Sequence, residues 1–135
     1  ARVVPLLAQK LLGQDQRLLV VARSAMQRQE IDVALWSQIA NSFLPHGAAG
    51  SPDEGLEPIL ISGEFTEAPA NGAQNVALAD GEWHDEALAF QRIFLLFDDG
   101  RIEDARETWR KLKSADGVER HFWKQDDHGR WSEGP

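Results

Sequence analysis

A short uninterrupted apolar run near the start of the chain limits the possible folds more than any other feature. Residues 17–22 read RLLVVA, with four branched aliphatic residues in succession and no polar residue between them. A strand with one face in water alternates apolar and polar residues, whereas a strand covered on both faces is apolar throughout. The run therefore predicts a strand buried on both faces, as in a parallel sheet covered by helices.

Helical patterns flank this strand on both sides. Before it, Val3, Leu7 and Leu11 recur at i, i+4 and i+8. After it, Ser24 and Gln27 have the spacing of a capping box, which predicts the start of a second helix. The chain therefore begins with a helix, a strand and a helix, and we expect that this sequence lacks an N-terminal strand. The core stripe of the second helix comprises Ile31, Leu35 and Ile39.

Further apolar runs alternate with helical spacing along the rest of the chain. PILIS at 58–62 and NVALA at 75–79 predict two more strands. The Gly- and Pro-rich stretch from Pro45 to Pro58 predicts a loop of about a dozen residues. Two long helices follow, and VERHFWKQDDHGRW at 118–131 predicts a terminal hairpin or edge strand. The first helix is predicted from Ala87, Phe90, Ile93, Phe94 and Phe97, and the second from Ile102, Ala105, Trp109 and Leu112.

The pattern as a whole predicts one α/β domain, residues 1–135, in which a mostly parallel sheet carries helices on both faces. Hydrophobic residues make up 42% of the 135 and charged residues 27%, which is ordinary for a globular domain. The chain has no cysteine, which excludes disulfides and thiolate chemistry and favours a cytoplasmic location. No apolar run is long enough for a membrane helix, so no membrane partner is expected.

The charge balance and the motifs argue against several classes of function. Lys and Arg number 14 against 22 Asp and Glu, a net charge of −8, so any contact with DNA is expected to be indirect. Neither glycine-rich phosphate-binding pattern occurs, and no serine lies in a nucleophile elbow. The sequence therefore predicts no catalytic residue, no cofactor and no metal site.

One acidic cluster leaves an enzymatic alternative open. His84, Asp85 and Glu86 offer an imidazole and two carboxylates to a divalent metal. Consecutive residues at the start of a helix point in different directions, and acids there are favoured by the helix dipole alone. A small α/β enzyme or nucleotide-binding domain built on this cluster remains an alternative.

The strongest binding signal lies on the predicted helix from Ile102 to Ala115. Arg106, Arg110 and Lys113 recur at i, i+4 and i+7 along one edge of its apolar row, with Trp109 on the boundary. Arginine binds carboxylates in bidentate pairs, and an indole covers apolar surface. This edge therefore suits a ligand that carries carboxylates and an apolar end.

An ordinary solvated helix face is the alternative interpretation of these charges. Glu103 has the spacing to pair with Arg106, and Glu107 with Lys111. Such surface pairs contribute little to stability. In an acidic chain, three cations in a row nevertheless form a local positive site that the net charge does not predict.

A second candidate surface lies where the second helix is expected to end, in ALWSQIANSFLPHG at 34–47. Trp36 is about 100° around the helix from Leu35 and therefore lies on its flank. The residues after the helix either fold back onto the core or form an exposed apolar surface for a partner protein. These residues are Phe43, Leu44, Pro45 and His46.

Together these regions resemble the chi subunit family of the bacterial DNA polymerase III holoenzyme. The resemblance implies a Rossmann-like α/β fold without a catalytic site, in an adaptor that supports DNA replication. It implies a link between the clamp loader and the acidic C-terminal tail of single-stranded DNA-binding protein, which ends in Pro-Phe, and pairing with a psi subunit. The stretches that carry it are IDVALWSQIANSFLPHG at 31–47, PILI at 58–61, NVALAD at 75–80, ARETWRKLKSADG at 105–117 and HFWKQ at 121–125.

The resemblance also implies roles for individual residues. Arg106, Trp109 and Arg110 match positions that bind the tail, with Lys113 continuing the basic edge. Trp36 is expected to complete the pocket for the terminal Phe. A purely structural subunit of an obligate complex, without a tail pocket, is a further alternative. The positions that face psi or another clamp-loader component are Phe43, Leu44 and Pro45, with His46 beside them.

Overall fold

The structure is a computed structural model that describes most of the chain, with helices and strands in alternation. It describes residues 3–37, 46–50, 54–66, 69–98, 102–111, 119–125 and 131–133. The α-helices are α1 (Val3–Leu12), α2 (Ala25–Ser37) and α3 (Ile102–Lys111), with 3-10 helices at Glu54–Leu56 and Asp85–Ala89. The strands are β1 (Leu18–Val21), β2 (His46–Ala48), β3 (Ile59–Ser62), β4 (Asn75–Leu78), β5 (Arg92–Asp98), β6 (Glu119–Gln125) and β7 (Trp131–Glu133).

The strands form one sheet in the order β2-β3-β1-β4-β5-β6-β7. The first six run parallel, and β7 returns antiparallel to β6. Leu18 of β1 is in register with Ile59 on one side and Asn75 on the other. The uninterrupted apolar run of β1 is therefore explained by its position inside a parallel sheet, with all four side chains buried.

Helices cover both faces of the sheet, as the alternation of elements predicts. On one face α1 and α2 pack through side chains such as Leu7, Ile31 and Leu35. On the other face lie α3, through Ala105, and the second 3-10 helix, through Ala87. Right-handed crossovers explain this arrangement: α2 leads from β1 towards β2, whereas α3 leads from β5 in the opposite direction to β6.

One of the two hydrogen bonds of the capping box predicted at the start of α2 is present. The backbone N–H of Gln27 donates to Ser24 Oγ at 3.3 Å, which satisfies one of the free donors of the first turn. The side chain of Gln27 does not return to Ser24. Its Nε2 donates instead to the carbonyl oxygen of Ala79 at 2.8 Å, which joins the start of α2 to the end of β4.

One predicted helix is wrong. The segment assigned to a helix from Ala87 to Phe97 is a 3-10 turn followed by strand β5. Its side chains alternate between the two cores, with Phe94 and Leu96 on the α1 face and Ile93 on the α3 face. The stretch IFLLF at 93–97 is apolar throughout because β5 is covered on both faces, and its helical spacing is incidental.

Two other predicted regions have mixed outcomes. The long loop from Pro45 to Pro58 contains β2 and a 3-10 helix, so its description as a loop is partly wrong. The terminal hairpin is confirmed by the pairing of β6 with β7.

Helix α3 is confirmed as far as Lys111, and its predicted continuation lies in 112–118, outside the described residues. Among the described helices, none has both the length and the apolarity needed to cross a bilayer.

Candidate functional site

Helix α3 fixes the indole of Trp109 at the edge of the core. Ala105 is buried on the inner side of the helix, one turn before Trp109. The Trp109 ring is partly buried and meets Phe122 of β6 edge to face, with the ring centroids 5.0 Å apart. Trp109 therefore lies on the boundary between core and surface, as its spacing predicts.

Phe122 is the support beneath this tryptophan. Its side chain is fully buried, and besides Trp109 it meets Phe97 edge to face at 6.4 Å and Trp83 at 6.5 Å. Aromatic edge-to-face pairs are favourable beyond the area that they bury. The cluster holds the Trp109 ring in a defined position while one side of it remains accessible.

The basic edge of α3 lies beside this indole. Arg106 Nη1 is 3.3 Å from Glu103 Oε1, which confirms the predicted i, i+3 pair, and both side chains are solvated. Arg110 is exposed and makes no ion pair with any described residue. Lys113 lies outside the described residues. A solvated pair such as Arg106 with Glu103 is weak, so a competing carboxylate can take its place at little cost.

The other flank of α3 is acidic, which the sequence analysis missed. A cavity of about 260 Å³ there is lined by Asp104, Glu107 and Thr108 together with Gly81 and Trp83. The lining combines α3 with the segment after β4, so no single stretch of sequence indicates it. An anionic ligand is therefore favoured on the Arg106 side of α3 and disfavoured on the Asp104 side.

The structure does not bring Trp36 to Trp109, so the predicted shared pocket is wrong. Trp36 lies on α2 against the ring of His46 in β2, at 4.8 Å, whereas Trp109 packs on Phe122 in β6. The two helices cover opposite faces of the sheet. Their contact strands are also five strand spacings apart, roughly 24 Å.

His46 is part of the fold and not of an exposed surface. Its side chain is 1% exposed, and its Nε2 lies 2.7 Å from Asp32 Oδ1 on α2. This contact between His46 and Asp32 links edge strand β2 to helix α2. The predicted partner-binding residues Phe43, Leu44 and Pro45 lie outside the described residues.

The outer face of α2 carries an apolar stripe that the sequence analysis did not identify. Met26, Val33 and Trp36 are 72%, 55% and 57% exposed, and they share one side of the helix at i, i+7 and i+10. The spacing was visible in the sequence, but the three residues are separated by polar ones. Exposed apolar residues grouped in this way are typical of an interaction surface.

The acidic cluster at 84–86 does not converge on one point. The carboxylate of Asp85 accepts the indole N–H of Trp83 at 2.8 Å. The ring of His84 instead stacks on Phe65, with centroids 4.8 Å apart and planes 8° apart. Within the described part of the chain, no group of three His, Asp or Glu side chains has the geometry to hold a metal ion. The alternative of a metal-dependent enzyme therefore has no geometric support here.

Comparison with known proteins gives one family and one curated relative. The family of the DNA polymerase III chi subunit, HolC, matches residues 1–119. The DNA polymerase III subunit chi of Escherichia coli (strain K12) is 28% identical over 103 residues, which cover 74% of this chain and 69% of the relative. Strand β7 and most of β6 lie beyond the family match.

Proposed function

We propose that this chain, which belongs to the DNA polymerase III chi subunit family, links the clamp loader to the acidic C-terminal tail of single-stranded DNA-binding protein. As a member of that family it is an accessory subunit of DNA polymerase III and acts in DNA replication. The proposal is that it is an adaptor without a catalytic site of its own. Its contact with DNA is indirect, through the tail of the DNA-binding partner.

The observation that carries the proposal is the basic edge of α3 beside a braced indole. Arg106 and Arg110 are solvated cations one turn apart, and Trp109 is held against buried Phe122. A tail of acidic residues ending in Pro-Phe offers carboxylates for the guanidinium groups and an aromatic ring for the indole. Lys113, which lies outside the described residues, has the sequence spacing expected for a third cation of this row.

The second proposed interface is the outer face of α2. Met26, Val33 and Trp36 form its exposed apolar stripe, and Trp36 contacts His46, the residue directly after Phe43, Leu44 and Pro45. Apolar stripes on helices serve as docking faces for partner proteins. We assign this face, together with the 43–45 segment, to psi or another clamp-loader component. Trp36 is assigned to this interface because it is exposed on α2 beside Met26 and Val33, and not to the tail site, from which it is remote.

A titration calorimetry experiment tests the tail site. A synthetic peptide with the acidic tail sequence ending in Pro-Phe is titrated into the wild type and into Arg106→Ala, Trp109→Ala and the control Lys10→Ala. Lys10 is an exposed cation on α1, on the opposite face of the sheet. We expect each α3 variant to bind about 30-fold more weakly, since truncating a charged or aromatic anchor at an interface costs roughly 2 kcal/mol. Binding by the Lys10 variant stays at the wild-type level.

Salt and Trp36 supply two further checks of the same experiment. Affinity is expected to fall with rising NaCl, because part of the binding is between exposed charges. Trp36→Ala is expected to leave the tail affinity unchanged. Equal affinities for the wild type and both α3 variants, or a loss in Trp36→Ala as large as in Trp109→Ala, would contradict the assignment.

A further inference from the structure

The basic edge of α3 faces the β6 side of the molecule. Asp104, on the other flank of the helix, lines the cavity of about 260 Å³ together with Trp83, which follows β4. Trp109, in contrast, packs on Phe122 of β6. Because β4 and β6 lie on opposite sides of β5, these two contacts fix the rotation of α3 about its own axis. Arg106 follows Trp109 around the helix, away from Asp104, and therefore lies on the β6 side.

Lys124 of β6 is a cation on the same face of the sheet as this edge. Successive residues of a strand point to opposite faces. Phe122 belongs to the core beneath α3, and Trp123 packs against the core beneath α1 and α2. Lys124, the next residue, therefore shares the α3 face with Phe122, where it is partly buried. Its neighbour across the hairpin is Ser132 of β7, which is exposed.

Along the strand direction, Lys124 lies at a level similar to that of Arg106. Helix α3 joins the end of β5 to the start of the parallel strand β6, so it runs opposite to both strands. Starting from the contact of Trp109 with Phe122, Arg106 is three residues back along the helix, about 4.5 Å towards the carboxyl ends of the strands. Lys124 is two residues forward along β6, about 7 Å in the same direction. One cation therefore lies on the helix and the other beside it on the strand.

This arrangement continues the basic edge of α3 onto the sheet. Arg110, Arg106 and Lys124 form a row that begins near the end of α3 and reaches the carboxyl end of β6. Glu103 is an acid on this side of the helix, and its solvated pair with Arg106 is weak. In a chain with a net charge of −8, the row is a local positive surface. Lys124 lies beyond residue 119, where the family match ends, so the family comparison does not assign it a role.

We propose that the acidic tail lies extended along this row and that Lys124 binds a carboxylate upstream of the terminal Pro-Phe. This inference rests on the proposed function and extends its tail site onto the β6–β7 hairpin. The terminal Phe packs on Trp109, with its carboxylate near Arg110. An extended chain advances about 3.3 Å per residue, so the residues from two places before the Phe onwards reach the level of Arg106 and Lys124.

Calorimetric titration of the full chain with two peptides tests this path. One is the acidic peptide ending in Pro-Phe, and the other is the same peptide with every Asp and Glu replaced by Asn or Gln. Lys124→Gln is expected to bind the acidic peptide about three- to fivefold more weakly, and Lys124→Glu at least about tenfold more weakly. Lys124→Arg keeps the charge and is expected to retain the wild-type affinity. The amide peptide binds equally to the wild type and to Lys124→Gln, because it has no carboxylate upstream of its terminal one.

The controls separate this contact from general attraction to a negative peptide. Lys10→Gln removes the same charge from α1, on the other face of the sheet, and is expected to leave the affinity for the acidic peptide unchanged. A loss in Arg106→Ala without any loss in Lys124→Gln and Lys124→Glu would overturn the extension and leave the tail site standing. Equal losses in Lys10→Gln and Lys124→Gln, or a loss in Lys124→Gln that is as large with the amide peptide, would also overturn it. Failure of the wild type to bind the acidic peptide would overturn the proposed function, and the extension with it.

Discussion

The aromatic support beneath Trp109 leads to a quantitative prediction for Phe122→Leu. Leucine retains most of the buried volume but removes the ring, and Phe122 makes edge-to-face contacts with Phe97 and Trp109. Each such pair contributes about 1 kcal/mol beyond burial, so the free energy of unfolding is expected to fall by about 2 kcal/mol. In a chain of 135 residues this corresponds to a decrease in Tm of about 8 °C.

A second phenylalanine provides the matched control. Phe90 is 4% exposed and, among the described residues, makes one edge-to-face contact, with Phe65 at 5.8 Å. Phe90→Leu is therefore expected to cost about 1 kcal/mol, half of the loss at Phe122. Urea unfolding followed by circular dichroism measures both.

Tail binding supplies the functional half of the test. Phe122→Leu is expected to weaken binding of the tail peptide severalfold, because the Trp109 ring loses its support. Phe122 is fully buried, so this effect does not come from a contact with the ligand. Phe90→Leu leaves the tail affinity unchanged. A Phe122 variant no less stable than the Phe90 variant, with unaltered tail affinity, would refute the role assigned to the cluster.

Three further substitutions have expected outcomes that follow from single contacts. Ser24→Ala removes the cap of α2 and is expected to lower the free energy of unfolding by about 1 kcal/mol in urea titrations, with Ser24→Gly costing less. Asp32→Ala leaves the buried ring of His46 without its 2.7 Å partner and is expected to cost about 1 kcal/mol or more, a result that thermal unfolding measures; an unchanged Tm would contradict the role of this contact. Glu103→Gln frees Arg106 from its solvated pair and is expected to leave stability nearly unchanged while tail affinity is equal or slightly higher; weaker tail binding in calorimetry would count against the basic edge as the tail site.

Elements with one clear local pattern could be predicted from the sequence. Strand β5 could not, because its residues fit two patterns. Its residues satisfy both a helical spacing and a continuous apolar run, and only the position between two covered faces decides for the strand. Strand β1 has the same kind of run, but no helical spacing competes with it. Edge strand β2 is three residues long and contains Gly47, so it carries almost no strand signal.

For the candidate site, the sequence predicted which residues share one side of a helix, but not which helices lie next to each other. The outward edge of α3 follows from its own 3.6-residue period, and the structure bears out the boundary position of Trp109. Which face of the sheet a helix covers depends on the direction of its crossover, and hence on the strand order. With β5 assigned to a helix, that order was not accessible, and Trp36 was joined to Trp109 across the sheet.

The central place of β1 has a consequence for how the chain acquires its fold. Residues 18–21 are made before their ladder partners, residues 59–62 and 75–78, which lie about 40 and 57 positions later in the sequence. Parallel pairing over such separations is slow, because the loop must close before any contact compensates for the lost entropy. During synthesis the apolar LLVV segment therefore has no strand to pair with until β3 and β4 have been made. We expect refolding to be slow for a chain of this length and sensitive to protein concentration, because this apolar segment can also pair with other chains while it is exposed.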